Sequence, residues 1–288
     1  MKITTNIKEL QQRTSEWIAQ GKKIGFVPTM GFLHEGHEAL LKKARLENDL
    51  VVLSIFVNPL QFGANEDLDS YPRDQKHDKE IAEKHGVDVI FLPDEQTMYP
   101  NPLSINLTVV RRTDVLCGRS RPGHFDGVAT VLTKLFNIVR PSRVYFGLKD
   151  AQQIAVVDAL LEDLNFPIEL IAVPTVREED GLAKSSRNVN LLDQERKEAP
   201  YVQQALQCGR QHVENGETNP EKVIEKVRQF LEKKTHGKID YIELLSYPML
   251  QRVETIDQQV ILATAVYFQN ARLIDNVIFN EYGIKTLG

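Results

Sequence analysis

Cysteine is scarce in this chain. Two occur in 288 residues, Cys117 and Cys208, and they form no Cys-x-x-Cys pair. That argues against a disulfide scaffold and a cysteine-built zinc site. It fits a reducing compartment, so a cytoplasmic location is expected. Positive charge is not in surplus either: 35 Lys and Arg face 40 Asp and Glu, a net charge of -5. Without a bulk basic surface a nucleic-acid partner is not expected. An anionic ligand has to be met by a few placed Lys, Arg or backbone N–H groups. Long apolar runs are missing too. No segment approaches the ~20 apolar residues of a membrane span. The opening stretch MKITTNIKELQQRTSEW has no apolar signal-peptide core, so neither membrane nor secretion is expected. Internal repeats and low-complexity segments are absent.

What is there is an ordinary globular composition, 42% hydrophobic and 26% charged, in a chain long enough for two domains. The first part alternates short β-rich runs with helical stretches. KIGFVP (Lys23–Pro28) reads as a strand and HEALLKKARLE as the helix after it. DLVVLSIFVN (Asp49–Asn58) is apolar throughout, as a strand buried on both faces would be. KEIAEKHG reads as a short helix, VDVIFLP as a strand and GVATVLTKLFNIV (Gly127–Val139) as a helix. RVYFG, AQQIAVVDALLEDL and PIELIAVPTV continue the alternation as strand, helix and strand. Such alternation predicts βαβ units and a parallel sheet, which binds ligands at the carboxyl ends of its strands.

Beyond about Val176 the pattern changes. ERKEAPYVQQALQCGRQHVEN and PEKVIEKVRQFLEKK read as two long amphipathic helices. KIDYIELLSY, QVILATAVYF and ARLIDNVIFN read as three strands with no crossover helix between them, which favours an antiparallel sheet. The expected division is residues 1–176 as an α/β domain and 177–288 as a smaller α+β domain, with the polar segment TVREEDGLAKSSRN at the boundary.

Five constellations can carry chemistry. In PTMGFLHEGHEALL (Pro28–Leu41), His34 and His37 lie three apart, a spacing that shares a helix face. The metalloprotease pattern needs four, and a third ligand, His124 for instance, would have to come from elsewhere. Gly31 and Gly36 flank the turn and would let a ligand approach the backbone. N–H groups at a helix start attract phosphate. Phosphate handling, structural histidines and a metal all stay open, in that order. GLAKSSRN (Gly181–Asn188) offers Lys184, Ser185, Ser186 and Arg187 as consecutive donors suited to a departing polyphosphate, or a simple helix cap. YFGLKDAQQ (Tyr145–Gln153) puts Lys149 and Asp150 at a strand's carboxyl end, with Gln153 one turn later. SIFVNPLQFGANEDLDSYPR (Ser54–Arg73) puts Gln61 at the mouth of the sheet. Its acidic run reads as a solvated loop. RSRPGHFDG (Arg119–Gly127) is a polar, glycine-rich turn before a helix.

Taken in order and spacing, PTMGFLHEGH, IFVNPLQFG, RPGHFDGV, FGLKDAQQ, VREEDGLAKSSRN and ARLIDN resemble the pantoate–β-alanine ligase (pantothenate synthetase) family of the HxGH nucleotidyltransferases. The resemblance runs over essentially the whole chain. It implies a Rossmann-like first domain, a smaller lid domain and a homodimer. It also implies an AMP-forming condensation of pantoate with β-alanine through a pantoyl adenylate, with ATP and Mg²⁺. Carried over by position, it implies ATP contacts at Met30, Gly31, Phe32, Leu33, His34, Glu35, Gly36, His37, Gly147, Leu148, Lys149, Asp150, Val176, Lys184, Ser185, Ser186 and Arg187. His37, His34, Lys149 and Arg187 would be catalytic, Gln61 and Gln153 would bind pantoate with Gln61 also near the β-alanine site, and Asp78 would be associated with Mg²⁺. A lid is expected near Gln61–Arg73. The chain departs from the family's pattern in having Lys184 where many members have Met, and Cys117 where an acidic residue is common.

Overall fold

The computed structural model describes residues 1–63, 68 and 71–287. The lid and acidic run expected within 61–73 fall largely on residues 64–67 and 69–70, which lie outside the described residues. The chain divides into two compact units. The first comprises Met1–Val110, Arg121–Phe146 and Val156–Val173; the second comprises Arg111–Ser120, Gly147–Ala155 and Pro174–Gly288.

The first unit carries a six-stranded sheet: β1 (Lys2–Thr4), β2 (Ile24–Thr29), β3 (Leu50–Ile55), β4 (Val89–Phe91), β5 (Arg143–Gly147) and β6 (Glu169–Val173). The strand order is β1-β4-β3-β2-β5-β6. Pairing is parallel from β1 through β4, β3 and β2 to β5. From β2 the chain winds outward to β3 and β4, and later in the opposite direction through β5 to β6. The switch point of this doubly wound sheet therefore lies between β2 and β5, where such sheets place their ligands. Strand β3 is buried along nearly its whole length, as its unbroken apolar run predicts. Val27, Leu40, Leu41, Leu53, Ile81 and Ile90 share one core. The edge strand β1 has no counterpart in the sequence reading. Three residues carry no periodic signal, and its conformation comes from pairing Lys2 to Thr4 with Val89 to Phe91.

The second unit contains an antiparallel sheet of β7 (Lys238–Ser246), β8 (Val260–Tyr267), β9 (Arg272–Phe279) and β10 (Lys285–Leu287), in the order β10-β9-β8-β7. Three strands are predicted by the sequence; the fourth, β10, is a short exposed edge that pairs irregularly with β9. The helices Pro200–Glu214 and Pro220–Lys234 bury Val202, Leu206 and Val213, and Val223, Val227 and Leu231, near-fourfold spacings that face one way. These residues share a core with Leu262, Val266 and Phe279 of the sheet. The stretch read as one helix from Glu195 is two, Asp193–Glu198 and Pro200–Glu214. Pro200 has no N–H to continue the first ladder but suits the first position of the second helix.

Candidate active site

In the first unit, β2 ends at Thr29 and the chain turns through Gly31 (φ +87°) and Phe32 (φ +52°). A Cβ on Gly31 would lie 2.9 Å from Ile55 Cγ2 and 3.0 Å from Asp78 Oδ2, so both space and backbone conformation require glycine. Helix Glu35–Glu47 then starts with His34 as its N-cap residue. The two imidazoles cap reciprocally. The Gly36 N–H donates to His34 Nδ1 at 3.1 Å, and the His34 N–H donates to His37 Nδ1 at 3.2 Å. This is a capping box written in histidine. It explains a spacing of three rather than four.

A ring nitrogen that accepts a hydrogen bond carries no proton. Each neutral ring therefore bears its proton on Nε2. The ring centroids are 4.2 Å apart and tilted by 48°, so two Nε2–H donors are held together at the first turn of the helix. Gly36 is also constrained by its neighbour. A Cβ there would lie 2.8 Å from His34 Cε1, so the glycine makes room for the capping ring.

Asp78 comes from helix Gln75–Lys84 and is 1% exposed. Its Oδ1 accepts the Leu33 N–H at 2.7 Å and its Oδ2 the Phe32 N–H at 3.1 Å. Burial pushes the Asp78 carboxyl above the usual aspartate range, against the pull of those two bonds. Both oxygens are engaged by backbone. Among the described residues no three His, Cys, Asp or Glu side chains gather as a metal site would need. The Asp78 carboxylate, associated with Mg²⁺ by the resemblance, is in this fold an acceptor for two backbone N–H groups. A metal held by His34, His37 and His124 has no donor set: the His124 ring instead reaches Gln61 O at 2.7 Å through Nδ1 and Arg121 Nη1 at 3.0 Å through Nε2.

Gln61 follows the turn after β3. Its Oε1 accepts from Asn58 Nδ2 at 3.1 Å, and its Nε2 lies 3.3 Å from Met30 Sδ. The fold thus joins Gln61 to the histidine turn. Asn58, 1% exposed, also donates to Gly127 O at 3.1 Å and accepts from Tyr99 Oη at 2.8 Å. Sequence reading overlooked Asn58 and Tyr99 as supports of Gln61. Asn58-Pro59 signals a turn; Tyr99 gives no signal.

In the second unit, Gly147, Leu148, Lys149 and Asp150 form a tight turn, with Lys149 Nζ 3.2 Å from Asp150 Oδ2. Asn276 on β9 holds this turn, donating through Nδ2 to Leu148 O at 2.9 Å and Lys149 O at 3.0 Å. The neighbouring Asp275, 4% exposed, takes Arg177 in a two-pronged pair at 2.6 and 3.0 Å. Next to Arg177, Val176 O accepts the Lys184 N–H at 2.9 Å. Ser185 then caps the short turn Ser186–Asn190 by accepting the Arg187 N–H at 3.3 Å. Two adjacent β9 residues thus anchor the 147–150 turn and the 176–187 loop. The ARLIDN motif contains both, but its sequence assigns them no role. Gln153 is half-buried on helix Ala151–Asp163, beside the buried Gln152, whose amide bonds Arg112 O and Val115 O.

The model of the family described as pantoate-β-alanine ligase matches residues 2–278. The chain belongs to the pantoate–β-alanine ligase family. Membership makes it a ligase that joins pantoate to β-alanine. It is 62% identical to pantothenate synthetase of Geobacillus sp. (strain WCH70), over 96% of this chain and 98% of that one. It is 56% identical to pantothenate synthetase of Bacillus mycoides (strain KBAB4), again over 96% and 98%. Among solved structures, pantothenate synthetase of Thermus thermophilus superposes with a TM-score of 0.90 at 41% identity, over 98% of this chain and all of that one. The pantoate–β-alanine ligase of Francisella tularensis, solved in complex with β-γ ATP and β-alanine, superposes with a TM-score of 0.78 at 36% identity, covering 98% of each chain.

The two departures from the pantoate–β-alanine ligase pattern acquire surroundings. Lys184 Nζ lies 4.0 Å from Glu178 Oε1. Cys117 Sγ lies 3.4 Å from Arg272 Nη1 and 3.4 Å from Tyr241 Oη. An acidic residue at 117 would face Arg272; in this chain Asp240, at 2.7 Å, supplies that partner.

Proposed function

We propose that this ligase activates pantoate with ATP before β-alanine enters. A carboxylate oxygen of pantoate attacks the α-phosphorus, the bond to the β-phosphate breaks, and pyrophosphate leaves with its electron pair. The β-alanine nitrogen then attacks the acyl carbon of pantoyl adenylate. The acyl C–O bond breaks and AMP leaves, while the amine proton passes to solvent. A carboxylate is a poor acyl donor and an adenylate a good one, so most of the catalysis is positioning and charge stabilisation.

The observation that carries this reading is the reciprocal His34–His37 cap, which presents two Nε2–H donors at a helix start. His37 stabilises charge at the reacting phosphate and His34 assists it, with the turn Met30–His37 around the phosphates. Lys149, Arg187, Lys184 and the hydroxyls of Ser185 and Ser186 take up charge on the departing pyrophosphate. Gly147, Leu148 and Asp150 meet the nucleoside, and the backbone of Val176 meets adenine. Gln61 and Gln153 hold pantoate, each amide offering both a donor and an acceptor. Mg²⁺ enters as part of the MgATP substrate. Residues 1–176 are the ATP- and pantoate-binding domain and 177–288 the lid domain of a cytoplasmic homodimer.

The test incubates enzyme, MgATP and pantoate, then adds β-alanine and follows AMP, pyrophosphate and pantothenate. Pantothenate and AMP should appear in equal amounts and only with β-alanine. ADP as product, or turnover that ignores β-alanine, refutes the mechanism.

A further inference from the structure

We infer that Asp78 is a positioning residue that sets the shape of the histidine turn, and not a ligand of Mg²⁺. The inference rests on the reading of that turn as the phosphate-handling site. The turn is conformationally unusual: Gly31 and Phe32 both have positive φ, and Phe32 is not a residue that adopts this region unaided. Something must hold it.

The hydrogen bonds show what does. Gly31 N–H donates to Thr29 Oγ1 at 3.3 Å, and Thr29 Oγ1 itself donates to Ser54 O at 2.8 Å. Phe32 and Leu33 N–H both donate to Asp78 at 3.1 and 2.7 Å, and His34 N–H donates to His37 Nδ1 at 3.2 Å. Asp78 thus bridges from another helix to the two amides between the strand-side anchor and the histidine cap. That helix is itself started by Asp74, which accepts the His77 N–H at 3.0 Å.

Burial decides between brace and metal ligand. Mg²⁺ bound at a nucleotide keeps several waters, and water must reach the carboxylate that holds it. Asp78 is 1% exposed, and it lies on helix Gln75–Lys84 with the buried Ile81 and Ala82. Each of its oxygens already accepts a backbone N–H. A charge-assisted pair of this kind is among the stronger hydrogen bonds a protein makes. Its loss frees the turn, and with it the direction of His34 at the helix start.

The experiment compares the wild-type enzyme with Asp78→Asn and with His37→Ala as a control, measuring kcat, each KM, and activity against Mg²⁺ at fixed ATP. Asparagine keeps one acceptor oxygen and turns the other atom into a donor that faces an N–H. Asp78→Asn should raise the KM for ATP by about tenfold, the worth of one such bond. The KM for β-alanine and the Mg²⁺ dependence should stay as in the wild type. A folded Asp78→Asn enzyme with kcat and every KM unchanged would mean a merely structural role and overturn the proposal. So would a raised Mg²⁺ requirement at an unchanged ATP KM. If His37→Ala leaves kcat and the ATP KM untouched, the phosphate reading of the turn fails. If His37→Ala is impaired while Asp78→Asn behaves as wild type, only the present inference fails.

Two measurements on the wild-type enzyme decide the matter even if Asp78→Asn does not fold. Mn²⁺ titrated without nucleotide should show no bound ion by electron paramagnetic resonance, and the amides of Phe32 and Leu33 should exchange hydrogen slowly. A stoichiometric Mn²⁺ site, or fast exchange at both amides, refutes the brace.

Discussion

His34 and His37 cap one helix end from opposite sides: His34 Nδ1 takes the Gly36 N–H, and His37 Nδ1 takes the His34 N–H. One contact therefore does two things. It satisfies N–H groups that a helix start leaves over, and it fixes which nitrogen of each ring bears the proton. The cap and the chemistry are separable by substitution. Asparagine is a strong N-cap residue, alanine a poor one. His34→Ala should cost about 1 kcal/mol in urea unfolding, while His34→Asn should recover most of it. Both variants lose the Nε2 donor, so both should turn over more slowly. Recovery of turnover along with stability in His34→Asn would reduce His34 to a cap.

His37→Ala should lower kcat by on the order of 10²–10³, the usual cost of removing one donor from developing transition-state charge. Steady-state kinetics at saturating ATP gives the number. An unchanged kcat would demote His37 to a structural residue.

The β9 anchors make a prediction in the second unit. Asn276→Ala removes two donors and leaves the Leu148 and Lys149 carbonyls without them. The expected loss is about 1–3 kcal/mol, with a raised KM for ATP because the 147–150 turn loosens. Asp275→Asn leaves the Arg177 guanidinium, which is largely buried, without its countercharge. That should cost about 3–5 kcal/mol. Equilibrium unfolding of the two variants tests the ranking, and a larger loss in Asn276→Ala would reverse it.

Lys184 adds a charge where many family members have Met. Lys184 Nζ lies 4.0 Å from Glu178 Oε1, and Glu178 also holds Arg196 at 2.9 Å. Lys184→Met should raise the ATP KM modestly and flatten its salt dependence. An ATP KM and salt dependence identical to the wild type would contradict this.

Glu38 sets part of the acid stability. Its carboxyl bonds Lys84 Nζ at 2.7 Å and His85 Nε2 at 2.6 Å. The Lys84 bond first, then the His85 bond, hold its pKa below the ordinary value of 4.5. A carboxyl lowered on folding stabilises the protein above its unfolded-state pKa and loses that contribution as pH falls through the folded value. Glu38→Gln should therefore be less stable than wild type near neutrality. The gap should close at acid pH, below the ordinary glutamate value. Urea unfolding at the two pH values decides; a gap that widens on acidification has the wrong sign.

Much of the architecture was legible because it rests on local pattern. The apolar run at Leu50–Ile55 and the alternation around it announce a parallel sheet, and the amphipathic repeats near Pro200 and Pro220 announce helices against a second sheet. Such signals need only near neighbours. The motif positions were legible for the same reason, since they sit at strand ends marked by Gly, Pro and Asn. The break before Pro200 was written there too, though the periodicity hides it. Short edges were not legible: β1 and β10 have three residues each, too few for a period, and take their conformation from β4 and β9.

The β/α order and the two kinds of sheet follow from the chain's local pattern, because burial periodicity and turn chemistry act over a few residues. What the chemistry-bearing residues do to each other was settled by folding. Asp78 reaches a turn 45 residues upstream. His124 reaches Gln61 across 63 residues, and Asn276 the Leu148 carbonyl across 128. Those partners are chosen by packing of distant elements, and no local pattern encodes a contact whose two halves must first be folded together. That is why the role of Asp78 as acceptor for the Phe32 and Leu33 N–H groups is visible only in the fold.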